Sequence, residues 1–273
     1  MTLSDLLVYI DNTDASANRI RAAQMVAAQF DAHIAGLFVI RPVYFPIYAE
    51  VPIPTNVVAE AEAHQKEMAR LAKTEFENLT SAWESKVSWH VEEGVTASAI
   101  IKHARLYDLA VVGQPNPDDI SDDNEGIADR VALESGGPVL VIPHIGAKET
   151  IGDRILVAWN GKREAVRAVR DALPFLEKAS AVDIVSVNTP ENVDFPGADI
   201  AEHLARHGVT VETEKAHTNG IDVGDLLLSM AADYGADTIV MGAYGHSRYR
   251  EMILGGATRQ VLKSMTIPVL MAH

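Results

Sequence analysis

Four glycines lie near the C-terminus, where an apolar segment gives way to a helical pattern. Gly242 ends the apolar run TIVMG, Gly245 follows three residues later, and the pair Gly255 and Gly256 precedes the helical pattern. Glycine adopts positive φ without steric cost and lets a ligand approach the backbone. The free N–H groups at a helix start favour an anion, and consecutive amides can form a phosphate-sized nest. This spacing predicts either a phosphate-binding turn or an ordinary tight turn.

The residues within and around this turn limit the kinds of binding or catalytic site that it could form. Arg248 and Arg250 lie between the glycines and would add positive charge. The chain lacks a G-x4-G-K-[ST] motif, which excludes a P-loop, and Ser247 lacks the second glycine of a G-x-S-x-G elbow. His203 and His207 have a spacing that could share a metal, but no H-E-x-x-H motif accompanies them, which favours surface histidines.

Composition indicates a globular protein with a real core. The 273 residues are 48% hydrophobic and 22% charged, and the net charge of -15 argues against nucleic acid or an anionic membrane as a partner. The absence of cysteine excludes disulfides, thiol catalysis and cysteine-bound zinc. The N-terminal segment MTLSDLLVYID does not resemble a signal peptide, and no apolar run is long enough for a membrane span. These features predict a cytoplasmic protein.

The chain contains an internal repeat. Three pairs of similar segments occur in the same order: 5–13 with 154–162, 107–113 with 236–242, and 137–143 with 267–273. Two copies are too few for a solenoid, so the repeat predicts duplicated domains at 1–147 and 148–273. The polar stretch 145–153 would join them.

Each copy alternates apolar, β-rich runs with helical patterns. Runs such as LLVYI, LAVVG and TIVMG are apolar on both faces, as strands covered by helices on both sides must be. Alternation of this kind implies parallel strands joined by right-handed crossovers. We therefore predict two tandem, doubly wound α/β domains with five strands each. Ligands of such sheets bind beyond the carboxyl ends of the strands, so the turns after the first and fourth strands are the candidate sites.

The flanking segments extend the glycine pattern to a family signature. Gly242, Gly245 and Gly255 fit G-x2-G-x9-G-[ST], and the strand-like segment IPVLMAH follows at the expected distance. The segment ILVAWNGKREA at the start of this half is similar to ILVAVDGSEAS. In these features the chain resembles the universal stress protein family, and the repeat makes it resemble a tandem member. The resemblance implies a stress sensor or regulator that binds ATP or a similar adenine nucleotide, with or without Mg²⁺, rather than an efficient enzyme.

The resemblance also implies a set of nucleotide-binding residues and two departures from the family pattern. The set is Asn160, Gly242, Gly245, Arg248, Gly255, Gly256, Ala257 and Thr258. Gly256 replaces the family's serine or threonine, which removes a hydroxyl contact to phosphate. Asn160 replaces its aspartate, which removes a charge that would attract Mg²⁺. We expect binding that is weaker and depends less on Mg²⁺.

The first half departs more strongly from the signature. It keeps Asp11 after its first strand and Gly113 at the start of the glycine pattern. Acidic side chains crowd the segment after Gly113, at Asp118, Asp119, Asp122, Asp123, Glu125 and Asp129. Like charges would repel phosphate, so this half is predicted to have lost nucleotide binding. Calcium binding by these acidic residues is less favoured than a solvated loop, because their spacing does not match a calcium-binding loop.

Residues 41–54 form a proline-rich, aromatic segment without a counterpart in the second half. The segment is predicted to pack over the domain interface or to form a wall for an apolar ligand or protein partner. A non-nucleotide interaction module is therefore the alternative function. Slow ATP hydrolysis is a third hypothesis without an identifiable base. The resemblance implies pairing through the last strands, as in dimers of single-domain family members, so 138–143 and 267–272 are predicted to meet inside one chain. Association of two tandem chains stays open.

Overall fold

A computed structural model describes residues 2–42, 55–116, 126–188, 197–218, 220–244 and 256–273. Within these residues strands and helices alternate along both halves, as predicted. The strands are β1 Asp5–Ile10, β2 His33–Ile40, β3 Val87–Glu93, β4 Leu109–Gly113, β5 Val139–Ile142, β6 Arg154–Ala158, β7 Ala181–Val187, β8 Val211–Ala216, β9 Thr238–Gly242 and β10 Val269–Ala272. The α-helices are α1 Ala15–Phe30, α2 Thr55–Leu79, α3 Thr96–Ala104, α4 Ile127–Glu134, α5 Arg163–Leu176, α6 Ala198–Ala205, α7 Val223–Asp233 and α8 Gly256–Ser264.

The strands form one continuous sheet in which the two halves are joined edge to edge. Its order is β3-β2-β1-β4-β5-β10-β9-β6-β7-β8, so each half has the same doubly wound order of five strands. The strands of each half are parallel, and only β5 and β10 pair antiparallel, with Leu140 opposite Leu270. This pairing confirms the predicted fold and the predicted meeting of the last strands. It also removes two sheet edges that would otherwise be exposed.

Helices cover both faces of the sheet, which explains the apolar strand sequences. One core layer packs α1, α2, α5 and α6 against the sheet, and the other packs α3, α4, α7 and α8. Strands β4 and β5 are buried along their whole length, because both of their faces contact helices. None of the helices in the described part of the chain is long and apolar enough to cross a bilayer.

The segment between the halves packs against the second half. The Gly152 N–H lies 2.9 Å from Asp237 Oδ1, and the Asp153 N–H donates to Asp237 Oδ2 at 3.0 Å. Thr150 donates its hydroxyl to the same carboxylate, and Ile151 is fully buried. The connection is therefore docked at the amino-terminal edge of β9. A domain division between residues 147 and 148 stays a prediction.

Candidate functional site

The structure brings part of the predicted site together at one edge of the sheet. Strands β6 and β9 are neighbours, with Ala158 opposite Met241. Asn160 therefore lies two residues beyond the end of β6, beside Gly242 at the end of β9. This is the position where the strand order of the second half reverses, which is the usual ligand position in such sheets. Three predicted site residues, Gly245, Arg248 and Gly255, lie outside the described residues, as do Ser247, Arg250, the acidic residues 118–125 and residues 43–54.

Asn160 forms the turn that starts α5. Its side-chain Oδ1 accepts a hydrogen bond from the Lys162 N–H at 3.0 Å, and the residue is exposed. Such an Asx turn fixes the backbone between a strand and a helix. The amide oxygen is thus already engaged in the turn and carries no formal charge. This position does not fit Mg²⁺ as a carboxylate would.

Gly242 makes close contact between β9 and α5 possible. A Cβ atom at this position would lie 2.6 Å from both Ala165 N and the Glu164 carbonyl carbon. Those atoms belong to the helix backbone and cannot move without shifting α5. Gly242 therefore sets the distance between the start of α5 and the strand end. The space beside its Cα is taken by this helix, so a ligand would approach from the strand end and the following turn.

The first turn of α8 lies against the end of β9. The Tyr244 N–H donates to Thr258 Oγ1 at 3.4 Å, and the Thr258 side chain is buried. Gly224 lets α7 pack closely on this turn, because its Cβ position lies 2.9 Å from the Ala257 carbonyl oxygen. Gly256 is exposed at the start of the helix. The predicted residues Gly256, Ala257 and Thr258 thus lie on the same edge as Gly242.

Basic side chains other than Arg248 and Arg250 lie at this edge. His273 Nδ1 lies 2.8 Å from the Ala243 carbonyl oxygen, which can only accept, so Nδ1 carries the proton. Its Nε2 lies 3.5 Å from Arg163 Nη2 and can accept from that guanidinium. Lys162 lies next to Arg163 at the start of α5. Lys162 and Arg163 can be recognised in the sequence from the motif GKRE at the start of α5. No sequence pattern indicates that His273 lies at this edge.

Asp222 places a negative charge beside the start of α8. Its Oδ1 caps α7 by accepting from the Gly224 N–H at 2.7 Å. Its Oδ2 lies 3.8 Å from the position that a Cβ on Gly256 would take. A carboxylate here opposes the anion preference of the helix start. The close packing of α7 on α8 therefore weakens an anion site at Gly256.

Asp222→Asn is expected to tighten ATP binding by about two- to fivefold, because it removes this charge from an exposed position. Asparagine caps helices as well as aspartate, so α7 should remain intact. Calorimetric titration with ATP measures the change. Asp199→Asn, in the first turn of α6, is the matched control and should bind as wild type does. Weaker binding by Asp222→Asn would show that this carboxylate supports the site.

In the first half, the side chain of Arg19 occupies the position at the strand ends that corresponds to the candidate site of the second half. Arg19 is 1% exposed, and its Nη2 lies 2.7 Å from Asp11 Oδ1. Its Nε–H donates to the Tyr9 carbonyl oxygen at 2.8 Å. A Cβ on Gly113 would lie 2.6 Å from Arg19 Nη1, so the surviving glycine accommodates this side chain. The repeat places Ala168 at the position of Arg19 in the second half. The guanidinium therefore occupies the strand ends where a ligand would have to enter.

The histidine pair is not part of a metal-binding group among the described residues, and the calcium alternative for residues 118–125 lies outside them. The rings of His203 and His207 lie 4.9 Å apart, and His207 Nδ1 lies 3.8 Å from Glu177 Oε1. Among the residues that the structure describes, no group of three or more His, Asp or Glu side chains is placed to hold a metal ion. Asp129, which was grouped with the acidic loop, lies in α4 and accepts a hydrogen bond from the Tyr244 hydroxyl.

Comparisons with known proteins agree with the repeat and the glycine signature. Residues 152–273 match the model of the Universal stress protein family. A universal stress protein of Synechocystis sp. is 50% identical over 38 residues, which cover 14% of this chain and 13% of that protein. A universal stress protein of Archaeoglobus fulgidus has a similar structure, with a TM-score of 0.75 and 19% identity over 99% of this chain and 96% of that chain. A functionally unknown protein from Pseudomonas aeruginosa PAO1 gives a TM-score of 0.58 and 14% identity over 99% of this chain and 92% of that chain.

The structural similarity extends over both halves, whereas the family match covers the second. At 19% identity the Archaeoglobus structure shows a common fold. The Synechocystis match spans only 13% of that relative's length. The resemblance drawn from Gly242, Gly245 and Gly255 is confirmed by the family match. Residues 152–273 therefore match the universal stress protein family, and the half before them repeats the same strand order.

Proposed function

We propose that the second half binds an adenine nucleotide such as ATP at the carboxyl ends of β6 and β9. The observation that carries this proposal is the position of the α8 start. Gly256 begins a nine-residue helix whose first turn is bound to Tyr244 just beyond β9. The free N–H groups of such a start are donors for phosphate. The family signature at Gly242, Gly245 and Gly255 supports the same site.

The roles of the site residues follow from their positions. The backbone N–H groups of Gly256 and Ala257 would hold phosphate, and Lys162 and Arg163 would supply positive charge from the start of α5. Asn160 would shape the turn beside the nucleotide without binding Mg²⁺ strongly. The protein would then act by changing conformation or partners when it binds nucleotide.

Gly256→Ser is expected to tighten ATP binding by about fivefold, because one added hydrogen bond contributes ~1 kcal/mol. Among the described residues, the nearest atom to the new Cβ is Asp222 Oδ2 at 3.8 Å, an ordinary van der Waals distance. Its hydroxyl can also reach Asp222. The Asp222→Asn background therefore isolates the contact with phosphate. Serine is also well tolerated at a helix start.

Calorimetric titration with ATP, with and without Mg²⁺, tests the proposal on wild type and Gly256→Ser. Gly137→Ser is the matched control, because a Cβ at Gly137 meets open space. Binding in both the presence and absence of Mg²⁺, with tighter binding for Gly256→Ser, would support the site. No heat at millimolar ATP in either protein would overturn it and favour the interaction module.

A further inference from the structure

Tyr244 connects the start of α8 to the first half of the chain. It lies two residues beyond β9 and immediately before residues 245–255. Its ring is buried, with 7% of the residue exposed, and its hydroxyl donates to Asp129 Oδ1 in α4 of the first half. Its N–H donates to Thr258 in α8. One residue therefore touches β9, α8 and α4.

The backbone of Tyr244 is held in an uncommon conformation. Its φ is 55°, in the left-handed region that non-glycine residues enter at a cost. Such a conformation persists only when surrounding contacts determine it, and here those contacts are Thr258 and Asp129. It sets the direction in which the chain leaves β9. The repeat places Pro115 at this position in the first half, and proline cannot adopt positive φ. This backbone conformation after the fourth strand therefore occurs in the second half and has no equivalent at Pro115 in the first half.

The electrostatics of this contact favour a stable hydrogen bond. Burial, followed by the hydrogen bond and the charge of Asp129, raises the pKa of Tyr244, and Arg259 opposes the shift. The phenol thus stays protonated and donates at neutral pH. Asp129 lies in the first turn of α4, where the helix dipole favours a carboxylate.

A second contact between the halves holds the C-terminal end of α8, the helix whose first turn is bonded to Tyr244. Gln114, just beyond β4, donates from Nε2 to the Leu262 carbonyl oxygen at 2.9 Å and to the Lys263 carbonyl oxygen at 3.1 Å. These carbonyl groups belong to the last residues of α8, where a helix leaves its acceptors without partners of its own. The first half therefore contacts the last turn of α8 directly and its first turn through Tyr244.

We propose that the first half positions the first turn of α8, which carries the proposed phosphate donors Gly256 and Ala257, with Asp129 as a positioning residue that acts through Tyr244. This inference rests on the proposed function. It gives the first half a role beyond that of a scaffold that has lost its own site. ATP affinity should then depend on a side chain in α4 that need not touch the nucleotide.

ATP titration of the full-length protein tests this inference with four variants and a control. Asp129→Ala and Tyr244→Phe should each weaken binding by about tenfold, as expected for losing a hydrogen bond to a charged group. The double variant should bind no more weakly than the weaker single variant, because both remove the same contact. Asp129→Asn keeps an acceptor and should recover most of the affinity. Glu134→Ala, at the far end of α4, is the control and should match wild type.

Hydrogen exchange of the ligand-free protein provides a readout that does not depend on ATP. Exchange in the first turn of α8 should rise in Asp129→Ala and Tyr244→Phe but not in Glu134→Ala, while the sheet stays protected. Wild-type affinity in both single variants, or losses that multiply in the double variant, would overturn the inference. If the wild-type protein binds no ATP, the proposed function is wrong, and the inference is then tested by hydrogen exchange alone. Unchanged exchange in α8 would then overturn the inference, and raised exchange would support it.

Discussion

Asp11→Ala is expected to lower the free energy of unfolding by about 3 kcal/mol while leaving ATP affinity unchanged. The Arg19 side chain is buried, and the carboxylate 2.7 Å from its Nη2 is its charge partner. Removing that partner leaves a guanidinium with an uncompensated charge in the core, which costs far more than losing an exposed pair. Chemical denaturation measures the stability, and calorimetry measures ATP binding.

Two further variants isolate the cause of this loss. Glu67→Ala breaks the exposed pair with Arg70 and should change stability little. Asp11→Ala combined with Arg19→Met removes both charges and should recover stability relative to Asp11→Ala alone, because apolar replacement of a buried pair is often neutral. Wild-type stability for Asp11→Ala would show that the pair is unimportant. A large loss of ATP affinity would show instead that Asp11 itself contributes to the nucleotide site.

Gly242→Val is expected to lower the free energy of unfolding by about 3 kcal/mol and to abolish measurable ATP binding, at the upper end of overpacking effects. The new Cβ would lie 2.6 Å from backbone atoms of Glu164 and Ala165. Removing this steric overlap requires α5 to shift away from the end of β9. That shift would carry Lys162 and the Asn160 turn away from the site. Thermal unfolding and ATP titration report the two effects.

Gly137→Ala is the matched control for this substitution. Gly137 has no heavy atom within 4 Å of its Cβ position and lacks a positive φ, so the variant should keep both stability and binding. Gly242→Ala should lie between the control and Gly242→Val, because it adds the same Cβ without the branched methyl groups. Equal stability of Gly242→Val and wild type would contradict the packing described for α5.

Local patterns in the sequence predicted the fold well. Strand β2 at His33–Ile40 and helix α8 at Gly256–Ser264 are examples, because each corresponds to a long apolar or helical pattern between clear breaks in the sequence. The repeat of the terminal segments predicted the β5–β10 contact. These signals lie within short windows of sequence or in the comparison of one window with another.

The contacts that shape the site depend on the tertiary structure and could not be predicted from the sequence. Arg19 reads as one polar position in a helix, and only the fold places it against Asp11. Tyr244 and Asp129 are 115 residues apart and meet because the halves pair through their last strands. Gly242 was predicted from its spacing to serve a ligand, whereas its close contact is with α5. A glycine pattern indicates close approach without identifying what approaches.

Counting the nucleotides bound by each chain tests the central claim most directly. Equilibrium dialysis of the full-length protein against labelled ATP gives the number, and photocrosslinking with 8-azido-ATP followed by peptide mapping gives the half that is labelled. The structure leads us to predict one ATP per chain, with the label confined to residues 152–273, because Arg19 fills the equivalent position of the first half. Two nucleotides per chain, a label in the first half, or no bound nucleotide at all would contradict this account.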